Sequence, residues 1–127
     1  MGNGSDEAIR SYRDLVAWQR AMALVELVYR CSSSFPADER FGLVSQIRRS
    51  AVSIPSNIAE GYGRGSAQDY QRFLRVARGS LFEVETQVII AERLGYLTGD
   101  AAAGVREQID SAAKVLSGLI RSLADRA

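Results

Sequence analysis

The side chains with the clearest potential for binding chemistry are arginines in the middle of the chain. Two of them lie on one predicted helix and three on the next: Arg48, Arg49, Arg72, Arg75 and Arg78. A guanidinium group presents a planar set of donors that matches a phosphate. Such a cluster is therefore a candidate nucleic-acid site, whose affinity would fall as the salt concentration rises.

Acidic residues in the same part of the chain offer these arginines a different role. Glu60, Asp69 and Glu85 are close in sequence, and ion pairs at a surface or an interface would occupy the same guanidinium groups. The pattern favours ion pairing, and both interpretations stay open. What separates them is whether the five arginines are exposed together or paired with these carboxylates.

The overall charge limits any nucleic-acid role to one region. The 127 residues carry 16 basic and 15 acidic side chains, for a net charge of +1. Residues 38–80 have seven basic and four acidic side chains, whereas residues 81–127 have five and seven. A generally basic binding protein is excluded, because such domains are strongly positive overall.

The composition also removes most catalytic and metal chemistry. The chain has no histidine and one cysteine, Cys31, which excludes histidine-activated nucleophiles and the usual zinc and haem sites. Glu83 and Glu85 are two residues apart on a predicted helix and so point to different faces. We expect a protein that is not an enzyme and has no cofactor and no bound metal.

A glycine-rich segment invites a phosphate-binding interpretation that its context does not support. Residues 61–65 read Gly-Tyr-Gly-Arg-Gly, but their spacing matches neither phosphate-loop fingerprint and no strand precedes them. The segment is predicted to be a turn between two helices.

The elements that position these residues are all helical. Apolar residues recur at steps of three and four through residues 14–33, 38–61, 66–95 and 98–123, and nothing is typical of a strand. Asp38, Ser66 and Thr98 are predicted N-caps, and Gly95 is a predicted left-handed C-cap. Pro55 lies inside the second helix and predicts a kink there.

Short connections between four helices predict an all-α, antiparallel up-down-up-down four-helix bundle. We expect residues 1–11 to be a disordered N-terminal segment and residues 12–127 to form a single domain. No stretch approaches the roughly 18 apolar residues of a membrane span, and a lone cysteine suits a reducing compartment. A cytoplasmic protein without membrane contact is expected.

Two helices carry more apolar surface than one core requires. The first helix is predicted to bury Leu15, Trp18, Met22, Val25 and Tyr29, with Trp18 packed against Leu81 of the third helix. A second apolar stripe remains on each of the first and third helices, and it includes Val16, Leu27, Phe82 and Ile89. Contiguous apolar faces on a small protein indicate self-association, and a head-to-tail contact between them can close into a ring.

Two long segments resemble a known bacterial family. The segments YRDLVAWQ at residues 12–19 and SQIRRSAVSIPSNIAEGYGR at residues 45–64 are similar to four-helix-bundle proteins encoded in intervening sequences of 23S rRNA genes. The resemblance continues through residues 73–97. Its signature here comprises Arg48, Arg49, Pro55, Asn57, Glu60, Gly61, Gly63 and Arg64, for which the family gives no proven role.

The resemblance implies a left-handed bundle that assembles into a ring, typically a homopentamer, in a family without demonstrated enzymatic activity. It also implies a fold similar to the accessory variability proteins of diversity-generating retroelements, which bind nucleic acid and a reverse transcriptase. The net charge of +1 and the glycines at 99 and 104 depart from that pattern.

The expected function is a non-enzymatic nucleic-acid or ribonucleoprotein accessory module, and the alternative is a protein-binding oligomeric adaptor. For residues 54–64 we expect a structural role, in which Asn57, Glu60 and Arg64 satisfy groups that the Pro55 bend exposes.

Overall fold

Each of the four periodic segments forms an α-helix in the computed structural model, which describes residues 8–126. The helices are α1 (Val16–Ser32), α2 (Leu43–Tyr62), α3 (Ala67–Arg93) and α4 (Gly99–Ala124). Short 3-10 helices, Tyr12–Asp14 and Ala37–Glu39, precede α1 and α2. The all-α prediction with four helices is confirmed, and no strand occurs in this part of the chain.

The helix ends follow the predicted caps with one exception. The hydroxyls of Ser66 and Thr98 accept the backbone N–H of the third helical residue of α3 and α4, at 3.1 Å each. Gly95 follows α3 with a φ of +80°, the left-handed conformation that glycine tolerates best. The exception is Asp38, because the carboxylate that caps α2 belongs to Glu39 and accepts from Leu43 N at 3.0 Å.

Ser11 caps the first 3-10 helix of the described chain. Its hydroxyl accepts from the backbone N–H of Arg13 at 3.0 Å, and its own N–H donates to the Asp14 carboxylate at 3.2 Å. Of the N-terminal segment that was predicted to be disordered, residues 1–7 lie outside the described residues.

Each helix packs on two others. Both α1 and α3 contact α2 and α4, so the four inner faces enclose one core. Its largest fully buried side chains come from all four helices and include Leu24, Ile54, Ile58, Leu74, Leu81, Ile109 and Leu116. Burying one such side chain contributes about 1.5 to 3 kcal/mol, so this core dominates the stability.

The face of α1 that points inward is not the predicted one. The buried residues are Ala17, Ala21, Leu24, Val28 and Ser32. Trp18 was predicted to be buried against Leu81, but it is half-buried beside Tyr12, with the two ring centroids 5.4 Å apart. Both stripes have the same helical spacing, and the small alanines allow α1 to approach its neighbours more closely than Trp18 and Met22 would. None of the helices described is long and apolar enough to cross a membrane.

Candidate interaction surfaces

Arg48 is engaged in holding the end of α1. Its Nε donates to the Ser32 hydroxyl at 2.8 Å, and its Nη2 donates to the Tyr29 carbonyl at 3.2 Å. The guanidinium carbon also lies 4.5 Å from the centroid of the Tyr29 ring. The last carbonyls of a helix lack partners within the helix, so Arg48 supplies one of them with a donor. The side chain is half-buried.

Two further arginines of the predicted site have local partners. Arg72 pairs with Asp69 at 3.4 Å and lies 4.8 Å from the Phe73 ring. Arg75 donates to the side-chain carbonyl of Gln71 at 3.2 Å. The Arg72 pair is at least half-exposed, and such surface pairs contribute at most about 1 kcal/mol.

The remaining two arginines do not complete a cluster. Within residues 8–126, neither Arg49 nor Arg78 has a side-chain hydrogen bond or an ion pair. Arg49 is exposed on α2 and points about 100° away from Arg48, while Arg78 is half-buried on α3. Of the three predicted acidic partners only Asp69 meets one of the five arginines, because Glu60 pairs instead with Arg64 at 2.8 Å. Three of the five arginines thus have a hydrogen-bond or ion-pair partner within residues 8–126, and only the partner of Arg72 is a carboxylate.

The glycine-rich segment builds the turn from α2 to α3. A Cβ on Gly61 would lie 2.8 Å from Cβ of Phe73 and 3.1 Å from the Tyr70 ring, so the approach of α3 requires glycine there. The backbone N–H of Gly63 donates to the carbonyls of Ala59 and Glu60, at 3.3 and 3.1 Å. The close approach of α3 gives Gly61 a structural role, and the segment forms the turn between two helices that the sequence predicted.

A polar seam joins α2 to α3 next to Pro55. Pro55 is buried within a continuous α2 and has no N–H to donate to the preceding turn. Asn57 donates from Nδ2 to the Ser53 carbonyl at 2.8 Å and contacts the Ser53 hydroxyl at 3.1 Å. That hydroxyl lies 2.8 Å from the hydroxyl of Ser80 on α3. Asn57 thus connects the signature segment to the helix packing.

The outward face of α3 carries large exposed apolar side chains among charged and polar ones such as Arg75, Glu83 and Thr86. Val76, Phe82 and Ile90 are 50%, 53% and 42% exposed. Val76 and Phe82 lie one turn before and one turn after Gly79, where an added Cβ would meet nothing within 4 Å. A groove of about 420 Å³ follows this face and is lined by Gln46, Gly79, Phe82, Glu83, Thr86, Gln87 and Ile90. Nothing within the described chain explains a glycine at this mid-helix position.

The four predicted self-association residues differ in their exposure. Val16, Phe82 and Ile89 are exposed. Leu27 is half-buried and packs against the core, so it offers less surface to a second molecule.

A second groove lies between α1 and α2. Its lining includes Trp18, Met22 and Val25, which were predicted to lie in the hydrophobic core. It has a volume of about 340 Å³ and is lined by Tyr12, Trp18, Met22, Val25, Val52, Pro55, Ser56 and Ala59. None of these residues is charged. The helical pattern placed Trp18 in the core, and the signal that could have revealed the groove was the aromatic Tyr12 just before α1.

Burial changes the pKa of two titratable side chains. Burial raises the pKa of the Cys31 thiol, although the nearby Arg30 charge lowers it in part. Burial also raises the pKa of the Tyr70 hydroxyl to about 12. Both groups stay protonated at neutral pH. Residues 8–126 contain no group of three histidine, cysteine or acidic side chains that could hold a metal ion.

Comparison with known proteins gives a family and a fold. The family described as 23S rRNA-intervening sequence protein matches residues 13–118. A crystal structure from Bacteroides thetaiotaomicron, of a protein with unknown function from the S23 ribosomal protein family, superimposes with a TM-score of 0.74. It is 22% identical, and the match covers 83% of this chain and 98% of that one. A search of curated proteins finds no significant match.

Proposed function

The chain belongs to the 23S rRNA-intervening sequence protein family, and from its surfaces we propose that it is a non-enzymatic, self-associating module that binds other proteins. The observation that carries this proposal is the exposure of large apolar side chains on the outward face of α3, where Val76, Phe82 and Ile90 are each at least two-fifths exposed. Apolar patches of this kind on small proteins mark interaction sites.

The architecture we propose is an antiparallel, left-handed bundle with a kinked α2. Contacts between α2 and α3 run in opposite order along the two helices. Gly61 meets Phe73, Ser53 meets Ser80, and Ser50 meets Gln87. This order and the short connections support antiparallel neighbours. The proline within α2 supports the kink, because it removes one hydrogen bond of the helix.

For assembly, we propose that the outward face of α1 in one copy packs against the outward face of α3 in the next. Val16 lies on the first face, and Phe82 and Ile89 lie on the second. A contact between two different faces is heterologous and can close into a ring. The family resemblance suggests five copies. Leu27 is half-buried within its own subunit, so only its exposed part is available at the edge of this contact.

Protein binding is better supported than nucleic-acid binding by the contacts of the arginines. Arg48, Arg72 and Arg75 all have partners within the chain. Only Arg72 is paired with one of the predicted carboxylates, while Arg48 and Arg75 bond neutral groups; these contacts support the adaptor over the accessory module. The half-buried single cysteine, Cys31, is compatible with a reducing compartment, and we propose action in the cytoplasm.

Nucleic-acid binding remains the second candidate because of Arg49 and Arg78, which have no partner within residues 8–126. A ring would repeat these two charges around one axis, and multivalency can raise a weak affinity by orders of magnitude. RNA or DNA would then be bound through phosphates, with a strong dependence on salt.

Two measurements test the proposal. Light scattering of the protein at micromolar concentration should give a defined multimer, and a monomer would contradict self-association. Filter binding with structured RNA and with duplex DNA at about 50 and 200 mM salt separates the two candidates. We expect no binding at the lower salt. Binding that weakens steeply at the higher salt would favour the nucleic-acid module.

A further inference from the structure

We propose that Arg30 of one copy of this chain binds in the groove along α3 of the next copy. Its guanidinium group pairs there with the carboxylate of Glu83 and donates to the side-chain oxygen of Gln87. This inference rests on the proposed assembly of α1 against α3, and it names the two charged side chains that fix the register of that contact.

The groove along α3 offers acceptors and no cation. None of its seven lining residues is a lysine or an arginine. Glu83 is exposed, and its carboxylate has no hydrogen bond or ion pair within residues 8–126. The Thr86 hydroxyl donates to the Phe82 carbonyl at 2.8 Å, so its lone pairs remain able to accept. A positively charged donor therefore complements the groove.

The side-chain amide of Gln87 is only half satisfied. Its Nε2 donates to the Ser50 hydroxyl at 3.2 Å, whereas its Oε1 is buried and has no hydrogen-bond partner within the described chain. A buried acceptor without a partner is costly, and a donor from a second molecule removes that cost. Gln87 lines the groove, so rotation of its terminal amide brings this oxygen to an incoming donor.

An arginine suits these groups better than a lysine does. A guanidinium group carries five N–H donors in one plane and also stacks on aromatic rings. It can pair with Glu83, donate to Gln87 and pack on the exposed ring of Phe82 at the same time. Fifteen of the 16 basic residues in this chain are arginines, so a second copy brings arginine to such a contact.

Arg30 lies on the face of α1 that is proposed to meet α3. At 100° per residue it is about 40° from Val16 around the helix. It is exposed, and its side chain has no hydrogen bond or ion pair within residues 8–126. The other arginine of α1, Arg20, already contacts the Ser111 hydroxyl of α4. Arg30 is therefore the arginine of α1 with all its donors available.

Contacts of α2 show that Arg30 and Gln87 have about the same height in the bundle. Ser50 of α2 meets Gln87, and Arg48, two residues earlier on α2, donates to the carbonyl of Tyr29. Tyr29 directly precedes Arg30. In a ring whose helices run along the axis, rotation keeps every residue at its height. Arg30 of one copy is then level with the groove of the next.

Charge reversal tests this pairing in the full chain. Glu83→Arg and Arg30→Glu each place like charges in the contact and should raise the dissociation constant of the assembly at least about tenfold. The double variant restores opposite charges and should return to within about threefold of the native value. Combining Glu83→Arg with Arg20→Glu is the matched control, which should stay weak. Concentration-dependent light scattering measures all four.

Neutral variants keep the test valid if a reversed charge disturbs folding. Glu83→Gln and Arg30→Gln should each weaken assembly about three- to tenfold, and the two together should cost little more than either alone, because they remove one shared contact. Losses that simply multiply would show that the two side chains do not meet.

The inference and the proposed assembly fail separately. Single reversals that leave the dissociation constant unchanged, or a double reversal as weak as the single ones, would overturn the pairing of Arg30 with Glu83. Recovery in the control that carries Arg20→Glu would overturn it too. A native multimer with any of these results removes the pairing alone. A native protein that is monomeric removes the assembly, and the pairing with it.

Discussion

The hydroxyl of Tyr96 donates a 2.8 Å hydrogen bond to the carboxylate of Glu39, and thereby ties the turn after α3 to the segment before α2. The other oxygen of that carboxylate caps α2 by accepting from Leu43 N at 3.0 Å. The Tyr96 ring also lies 5.6 Å from the ring of Phe35. This one carboxylate thus connects the segment before α2, the start of α2 and the turn after α3.

This arrangement predicts a specific loss of stability in acid. The hydrogen bonds from Leu43 and Tyr96 hold the pKa of Glu39 below its ordinary value. A lowered pKa stabilises the fold above the unfolded value, near 4.3, and the contribution is lost as the pH falls through the folded value. Urea midpoints of Glu39→Gln should therefore vary less with pH below about 5 than those of the native chain. The same slope in both proteins would contradict this role.

The two glycines at 61 and 79 should respond oppositely to alanine. Gly61→Ala places a Cβ 2.8 Å from that of Phe73 and should destabilise the protein by about 1 to 3 kcal/mol. Gly79→Ala meets nothing and should stabilise it by about 0.5 to 1 kcal/mol through helix propensity. Urea unfolding of both variants measures the difference. A tolerated Gly61→Ala would mean that α3 does not approach the backbone there.

Asn57→Ala tests whether the signature segment is structural. The variant loses the bonds to the Ser53 carbonyl and hydroxyl, so we expect a cost of about 1 kcal/mol in unfolding free energy. Ser56→Ala is the neighbouring control, since its hydroxyl is exposed and bonds only within its own helix. If Asn57→Ala changes stability by less than about 0.5 kcal/mol, the signature serves binding instead.

Adjacent arginines on α2 provide a further matched pair. Arg48→Ala removes donors from Ser32 and from the Tyr29 carbonyl and should cost about 1 to 2 kcal/mol. Arg49→Ala should change stability by less than about 0.5 kcal/mol, because it has no partner within residues 8–126. Thermal and urea unfolding distinguish them. Equal destabilisation would show that Arg49 makes a contact absent from this structure.

Periodicity was enough to predict four helices, the caps Ser66 and Thr98 and the left-handed Gly95, because these depend on neighbouring residues. It could not choose between two stripes of equal spacing on α1, a choice made by how closely Ala17 and Ala21 let other helices approach. It also could not predict the hydrogen bonds of Arg48, because their acceptors lie 16 and 19 residues earlier in the chain. Both failures concern contacts between elements.

A mixing experiment tests the central claim of a head-to-tail contact between α1 and α3 most directly. Val16→Asp damages the face of α1 and leaves that of α3 intact, whereas Phe82→Asp does the reverse. Each variant alone should be monomeric by light scattering. Their mixture should form a species of twice the monomer mass, since one intact contact remains between them. Variants that keep the native assembly, or a mixture that stays monomeric, would contradict the account.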